Sequence, residues 1–324
     1  MMRAMVCTRY GPPEILELRQ VDKPDIKEGE VLVRNYASAV TTGDWRLVTG
    51  RPFFLRLMTG GVFRPKNQIL GADIAGRVES VGGGVEQFQP GEEVYGDIGA
   101  FGFGGYAEYV AVPQRALAFK PEGISFEAAA ATAQSAGVAL QGLRDVGKIQ
   151  AGQKVLIVGA SGGIGSFGVQ IAKAYGAEVT GVCGTRNLEF IHTIGADHVI
   201  DYTREDFVQT GQQYDLILAT AGYRSVADYK RALSPQGIYV MAGGSFRQIF
   251  EAAILGPSNS EQGGRILTNL DHKPSQEELM TIKGLIESGK VTPIIDRTYS
   301  LEELPQALRY YGQGHTTGVV AITI

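Results

Sequence analysis

The chain has 324 residues, which is enough for two hydrophobic cores, and its hydrophobic and charged fractions of 44% and 20% are typical of a folded globular protein. A formal net charge of -4, without any cluster of Lys and Arg, argues against a general nucleic-acid surface. The only cysteines, Cys7 and Cys183, cannot form a disulfide framework, so we expect a reducing compartment, the cytoplasm.

The N-terminal segment MMRAMVCTRYG lacks the apolar core and the small-residue cleavage site of a signal peptide. No uninterrupted apolar stretch of about 18 residues follows it. We therefore expect neither a secretory leader nor a membrane span.

The first 120 residues carry short β-like runs separated by Gly and Pro, at 30–35, 74–81 and 106–112, and this part is predicted to be mostly β. An Ala-rich helix is predicted over 126–146. Strands and helices then alternate, a pattern typical of a parallel doubly wound sheet. The predicted strands cover 154–158, 178–182, 198–201, 216–219, 237–241 and 265–269. The tail is predicted to form a helix at 276–288, a strand at 292–299, a helix at 301–311 and a strand at 319–324.

The segment KVLIVGASGGIGSFG joins an apolar strand to a helix through a glycine-rich turn. Dinucleotide binding needs these parts, because a tight turn and a helix N-terminus bring backbone N–H groups to a pyrophosphate. Gly162 and Gly165 hold the second and third glycine positions of the fingerprint, and Ala160 stands at the first. The predicted phosphate-binding residues are Ala160, Ser161, Gly162, Gly163, Ile164 and Gly165. A packing turn in another α/β protein is the alternative.

The end of the second predicted strand indicates which cofactor is preferred. Sites that prefer NAD place an acid about 20 residues beyond the glycines, where it accepts from the ribose 2′-OH. Here that window reads Gly184, Thr185, Arg186 and holds no acid. Gly184 leaves room, Thr185 can donate and Arg186 can pair with a 2′-phosphate, so NADPH is predicted. An ordinary surface arginine is the alternative for Arg186.

The segments LGADIAGRV, GGYAEYVAVP and GADHVIDY, together with the tail LIESGKVTPIIDRTYSLEELPQALRYYGQGHTTG, resemble one known family. Over essentially its whole length the chain is similar to the zinc-independent, quinone oxidoreductase (ζ-crystallin-like) branch of the medium-chain dehydrogenase/reductase superfamily. Four positions depart from that pattern: Thr41 and Thr42 replace Asn-Pro, Ala133 replaces Pro and Val319 replaces Lys.

In the metal-dependent members of that superfamily, a Cys near position 41 and a Gly-His-Glu segment supply catalytic zinc ligands, and four close cysteines hold a structural zinc. This chain has Thr41, and its segment 71–76 reads GADIAG. Its four histidines form no pair at ligand spacing. No metal site is expected.

The resemblance implies an α/β fold with two domains. A Rossmann doubly wound parallel sheet would bind NADP(H) over 126–274, and a mostly β, GroES-like catalytic domain would combine 1–125 with the returning tail, 275–324. It also implies a homodimer that pairs through the strand at 265–269, because an exposed sheet edge invites pairing.

By the same resemblance, Tyr202 would lie against the adenosine 2′-phosphate, although a core or edge aromatic is an equally good interpretation. The nicotinamide side would be lined by two strand ends, 219–222 and 242–245. The residues concerned are Ala219, Thr220, Ala221, Ala242, Gly243 and Gly244.

The segment AVTTGDWRLVTG is where the family places substrate and nicotinamide contacts. Hydride transfer leaves negative charge on the acceptor oxygen, which calls for preorganised donors. Thr41, Thr42 and Arg46 are the candidates, with Asp44 as an orienting partner. The alternatives are that Asp44 caps the following turn, Trp45 belongs to the core and Arg46 is solvated.

An apolar stretch follows this segment, and it is predicted to line a substrate pocket or to pack as a loop on the core. It comprises Pro52, Phe53, Phe54, Leu55, Leu57, Met58 and Phe63.

These features predict an NADPH-dependent reductase of quinones or α,β-unsaturated carbonyls. A non-catalytic NADPH-binding sensor or scaffold is the alternative from another class, because the Asn-Pro pair is replaced and no proton donor is evident. An alcohol dehydrogenase with a nonstandard metal site is a third interpretation.

Overall fold

The computed structural model describes residues 1–53, 56–57, 61–244 and 264–324, and these residues form two compact units. The first unit combines Met1–Gln134, Lys273–Glu287 and Pro293–Ile324, and the second combines Ser135–His272 and Ser288–Thr292. The long helix α2 (Phe126–Leu140) belongs to the first unit at its start and to the second at its end. It continues as a π-helical turn, Gln141–Val146.

The second unit contains a six-stranded sheet in which every neighbouring pair is parallel. Its strands run in the order β10-β9-β8-β11-β12-β13. In chain order this is 3-2-1-4-5-6, the arrangement of a Rossmann fold. Each strand overlaps one of the six that the sequence predicts. The bounds are β8 (Lys154–Val158), β9 (Glu178–Cys183), β10 (His198–Asp201), β11 (Tyr214–Ala219), β12 (Leu233–Met241) and β13 (Ile266–Asn269).

Helices connect these strands: α3 (Gly163–Ala174), α4 (Leu188–Thr193) and α5 (Val226–Ala232). The strands are apolar because both faces of a parallel sheet are covered. Buried aromatic rings fill the space under α5, where Tyr229 stacks on Tyr239 with ring centroids 4.8 Å apart and on Phe207 at 5.6 Å.

The first unit contains a mostly antiparallel sheet of seven strands and a separate hairpin of β1 (Met2–Val6) with β2 (Glu17–Val21). The sheet follows the order β14-β15-β3-β4-β5-β7, and β6 also pairs with β3. Its bounds are β3 (Glu30–Val40), β4 (Asp73–Val81), β5 (Glu93–Asp97), β6 (Tyr109–Pro113), β7 (Ala118–Phe119), β14 (Ile295–Ser300) and β15 (Val319–Thr323).

The tail returns to the first unit, as the family resemblance implies, because β15 pairs antiparallel with β3. Helices α6 (Gln276–Glu287) and α7 (Leu304–Gly312) complete this part. The buried side chains of α7, among them Leu304 and Leu308, share one core with Met5, Val40 and Val320.

The sequence prediction did not name helix α1 (Thr42–Thr49) or four of the strands, which are β1 and β2 of the hairpin, β5 and β7. Helix α1 is only eight residues long and rich in Thr and Gly, so neither its length nor its propensity marks it as a helix. No helix of the described residues is long and apolar enough to cross a membrane.

Candidate active site

The turn between β8 and α3 is built from backbone rather than side chains. Gly159 adopts a left-handed φ of +80°, which a side chain would make costly. Ala160 follows it, fully buried, at the position of the first fingerprint glycine. The methyl group of Ala160 fits at this position because the facing residue on β9 is a glycine, Gly181. A Cβ added at Gly181 would lie only 3.2 Å from that methyl group.

Helix α3 packs so closely against this turn that a side chain at the point of contact would not fit. A Cβ at Gly165 would overlap the carbonyl oxygen of Gly159. By contrast, a Cβ at Gly162 would meet only that same oxygen, at 3.6 Å. Among the described residues, no side chain caps the N-terminus of α3, so the first-turn N–H groups of Gly163, Ile164 and Gly165 are available to a ligand. Ser161 belongs to the same half-buried turn. These residues fit a dinucleotide pyrophosphate.

The ends of β11 and β12 meet the end of β8 at the same sheet edge. The Thr220 N–H donates to the Val158 carbonyl at 2.9 Å, and the Ala242 and Gly243 N–H groups donate to Ala219 at 2.9 and 3.0 Å. A Cβ at Gly243 would overlap the carbonyl of Thr220.

The structure therefore brings the predicted phosphate-binding turn and both predicted nicotinamide-side segments together, including Ala221 and Gly244. Ser245 lies outside the described residues.

The strand ends of β9 and β10 form the site predicted for the adenosine 2′-phosphate. Arg186 is exposed, and the Tyr202 ring, 51% exposed, stands over Gly184, where an added Cβ would lie 3.5 Å from it. The Thr185 hydroxyl donates to Asp201 Oδ2 at 2.6 Å, so it is directed toward the protein. Tyr202 is thus an exposed aromatic and not a core residue.

Asp201 is a residue that the sequence analysis missed. It is buried at the end of β10, and the hydrogen bond from Thr185, followed by those from Thr203, keeps the pKa of its carboxyl below the usual range. Arg204 lies 3.6 Å from it. Asp201 could have been noticed in the sequence, since it directly precedes Tyr202. The contact between Asp201 and Thr185, however, depends on the pairing of β10 with β9.

In the first unit, Thr41 and Asp44 form a capping box at the start of α1. Asp44 Oδ2 accepts from the Thr41 hydroxyl at 2.7 Å and from the Thr41 N–H at 3.0 Å, while Oδ1 accepts from the Gly71 N–H at 3.2 Å. The capping interpretation of Asp44 is confirmed. Burial raises the pKa of its carboxyl to about 6, although these hydrogen bonds act in the opposite direction.

Thr42, at the first position of α1, is exposed, and its hydroxyl lies 2.7 Å from the hydroxyl of Tyr311 on α7. Arg46 is half-buried one turn further along, and burial lowers the pKa of its guanidinium. Trp45 packs against the core that α7 helps to form, so the core interpretation of this residue is confirmed. Tyr311 is the second residue that the sequence analysis missed.

A pair of buried acids lies in the same unit. Asp73 and Asp97 are neighbours in the β4–β5 register and are only 1% and 2% exposed. Asp73 Oδ1 accepts from the Gln134 N–H at 2.7 Å, and Asp97 Oδ1 accepts from the Gly99 N–H at 2.9 Å. Burial, and then the nearby Asp97 carboxylate, holds the pKa of Asp73 well above its usual range.

The apolar stretch after α1 is described only in part, because Phe54, Leu55 and Met58 lie outside the described residues. Phe53, Leu57 and Phe63 are exposed by 58%, 60% and 89%, so these members do not pack on the core. In the described part of the chain, no group of three or more His, Cys, Asp or Glu side chains is arranged to hold a metal ion.

Two family profiles match the chain. Residues 27–122 match the alcohol dehydrogenase GroES-like domain, and residues 194–322 match a family described as zinc-binding dehydrogenase. Thr41 and Ala72, within the segment that matches the first profile, stand where the family resemblance implies zinc ligands in the metal-dependent members.

Proteins similar to this chain include 2-methylene-furan-3-one reductase of Solanum lycopersicum, 33% identical over 99% of this chain and 79% of the relative. The chloroplastic NADPH-dependent alkenal/one oxidoreductase of Arabidopsis thaliana is 30% identical, again over 99% of this chain and 79% of the relative. Among solved structures, the quinone oxidoreductase from Coxiella burnetii superposes with a TM-score of 0.88 at 25% identity, covering 100% of this chain and 99% of that one.

Proposed function

Because this chain belongs to the medium-chain dehydrogenase/reductase superfamily, in its quinone oxidoreductase branch, we propose that it reduces a quinone or an α,β-unsaturated carbonyl with NADPH and without zinc. The single observation that carries the proposal is the uncapped N-terminus of α3 against the Gly159 turn, which fits a dinucleotide pyrophosphate. The names of the two plant reductases support an activated alkene as the acceptor.

When bound, the nicotinamide supplies a hydride, and the chain's own residues must stabilise the charge that appears on the acceptor oxygen. The exposed Thr42 hydroxyl and the Arg46 guanidinium are the proposed donors, each contributing about 3 kcal/mol to the transition state. Thr41 and Asp44 act as orienting residues, because their mutual hydrogen bonds fix the first turn of α1 from which Thr42 projects.

The preference for NADPH over NADH is part of the proposal. Arg186 is exposed two residues after Gly184, and Arg204 partly neutralises the Asp201 carboxylate. A 2′-phosphate would meet the two guanidinium groups there, with the Tyr202 ring against the adenosine. A homodimer paired through β13, the outer described strand of its sheet, and a cytoplasmic location both remain predictions.

The test is NADPH oxidation by the purified protein with a panel of quinones and enones. We expect turnover with at least one acceptor class and weaker turnover with NADH. NADPH binding without any turnover would favour the sensor or scaffold interpretation, and failure to bind NADPH would overturn both. Added zinc or a chelator should leave the rate unchanged.

A further inference from the structure

The hydroxyls of Thr42 and Tyr311 form a hydrogen bond of 2.7 Å between residues 269 positions apart in the chain. Their environments differ, because Thr42 is exposed while Tyr311 is half-buried beneath it. A phenol, with an ordinary pKa near 10, is a far better proton donor than an alcohol. Either hydroxyl can be the donor in this contact, and the phenol is the more acidic of the two groups.

The contact is held by the packing of two helices. Tyr311 is the penultimate residue of α7, and Gly312 follows it at the point where α7 crosses Trp45 of α1. A Cβ at Gly312 would overlap the indole nitrogen of Trp45. The glycine thus lets the end of α7 approach α1 closely enough for the two hydroxyls to meet.

The charged and titratable groups that act on Tyr311 are Arg46, Asp44 and Tyr106. Burial, acting first, raises the pKa of the Tyr311 phenol, so the hydroxyl is protonated at neutral pH. The Arg46 guanidinium acts in the opposite direction and favours the phenolate. Tyr311 can therefore hold a proton and release it next to a positive charge.

We propose that Tyr311 supplies, through Thr42, the proton that the reduced substrate takes up. This inference rests on the proposed reductase function. Hydride addition forms a carbon–hydrogen bond in an enone and leaves an enolate oxygen. That oxygen takes the proton of the Thr42 hydroxyl, the Thr42 oxygen takes the proton of Tyr311, and the phenolate beside Arg46 is reprotonated from water. Thr42 is the catalytic residue, and Tyr311 is a positioning residue that acts through it.

The experiment compares Tyr311→Phe with Tyr310→Phe in the full-length protein. Tyr310 is a matched control, because it lies on the same helix and its hydroxyl donates to Asp296 at 2.7 Å, within the same unit. Each variant is assayed with an alkyl enone and with an electron-poor quinone, whose hydroquinone anion is a weak base.

We expect Tyr311→Phe to lower kcat for the enone by about 10- to 100-fold, with little change in KM or in NADPH affinity. The loss for the quinone should be less than about 3-fold, because its reduced anion needs proton transfer less. The solvent deuterium isotope effect on enone reduction should change in Tyr311→Phe and not in Tyr310→Phe. Thr42→Val should resemble Tyr311→Phe, and Thr42→Ser should restore most of the rate.

Equal losses for both acceptors, or a change confined to KM, would assign Tyr311 a purely structural role and overturn the relay. Wild-type enone kinetics in Tyr311→Phe would overturn it as well. Failure of the reductase proposal itself is distinguishable, because the wild-type protein would then oxidise NADPH with neither acceptor.

Discussion

The two regions that carry the proposed functional residues are built in different ways. In the second unit, the turn from β8 to α3 is formed by backbone. Its glycines are needed because a side chain at Gly165 would overlap the Gly159 carbonyl. In the first unit, the start of α1 depends on side chains, with Thr41, Thr42, Asp44 and Tyr311 joined by hydrogen bonds. Substitutions in the glycine turn act by adding atoms that do not fit. Substitutions at the start of α1 act by removing a proton or a charge.

The largest effect should follow Gly165→Val. The new side chain would overlap the Gly159 carbonyl, and neither backbone segment can yield without moving α3 off the sheet. We expect NADPH affinity, measured by fluorescence titration, to fall at least about 100-fold, or roughly 2.7 kcal/mol.

Gly162→Ala is the matched control, because its Cβ would meet protein only at 3.6 Å. Its melting temperature should stay within a few degrees of the wild type, and its NADPH affinity should fall about tenfold if the pyrophosphate approaches there. Undiminished binding by Gly165→Val would show that this turn does not hold the cofactor.

An intermediate effect, on stability and its pH dependence, should follow Asp73→Asn. Since burial and then Asp97 raise the pKa of Asp73 in the folded chain, the folded state retains a proton that the unfolded state releases near pH 4. The stability that this proton contributes is then fully present below that pH and is lost as the pH rises through the pKa of Asp73 in the folded chain. At pH 8 the Asn variant should be more stable than the wild type by about 1–2 kcal/mol in urea unfolding.

Asp197→Asn is a control that should change the stability at neutral pH in the opposite direction. Burial acts to raise the pKa of Asp197, but the Lys173 ammonium and the Val179 N–H outweigh it and lower that pKa. This group contributes stability above pH 4, which the Asn variant should lose at neutral pH. If both variants moved stability at pH 8 in the same direction, the assignment of Asp73 as a protonated buried acid would be wrong.

The smallest effect should follow Arg186→Ala, which removes an exposed charge in the second unit. We expect the Kd for NADPH to rise about tenfold while the Kd for NADH changes less than twofold, because only NADPH carries the 2′-phosphate. Lys148→Ala, a change at another exposed cation of the second unit, should alter neither value. Equal losses for both cofactors would remove Arg186 from the phosphate site.

Much of the fold follows from local patterns. The six strands of the parallel sheet were predicted because apolar runs bounded by Gly mark buried strands without reference to other parts of the chain. Helix α1 was missed because its stability comes from the capping box and from packing against α7, which Thr- and Gly-rich local sequence does not reveal.

The turn proposed to bind phosphate could be predicted from the sequence alone, since a strand, a glycine turn and a helix lie within about 20 consecutive residues. The replacement of expected zinc ligands by Thr41 and Ala72 was equally visible. Only the tertiary structure placed Asp201 beneath Thr185, Asp97 beside Asp73 and Tyr311 against Thr42. The physical reason is separation along the chain: a backbone turn is encoded by neighbours, whereas a hydrogen bond between distant side chains depends on strand register and helix packing.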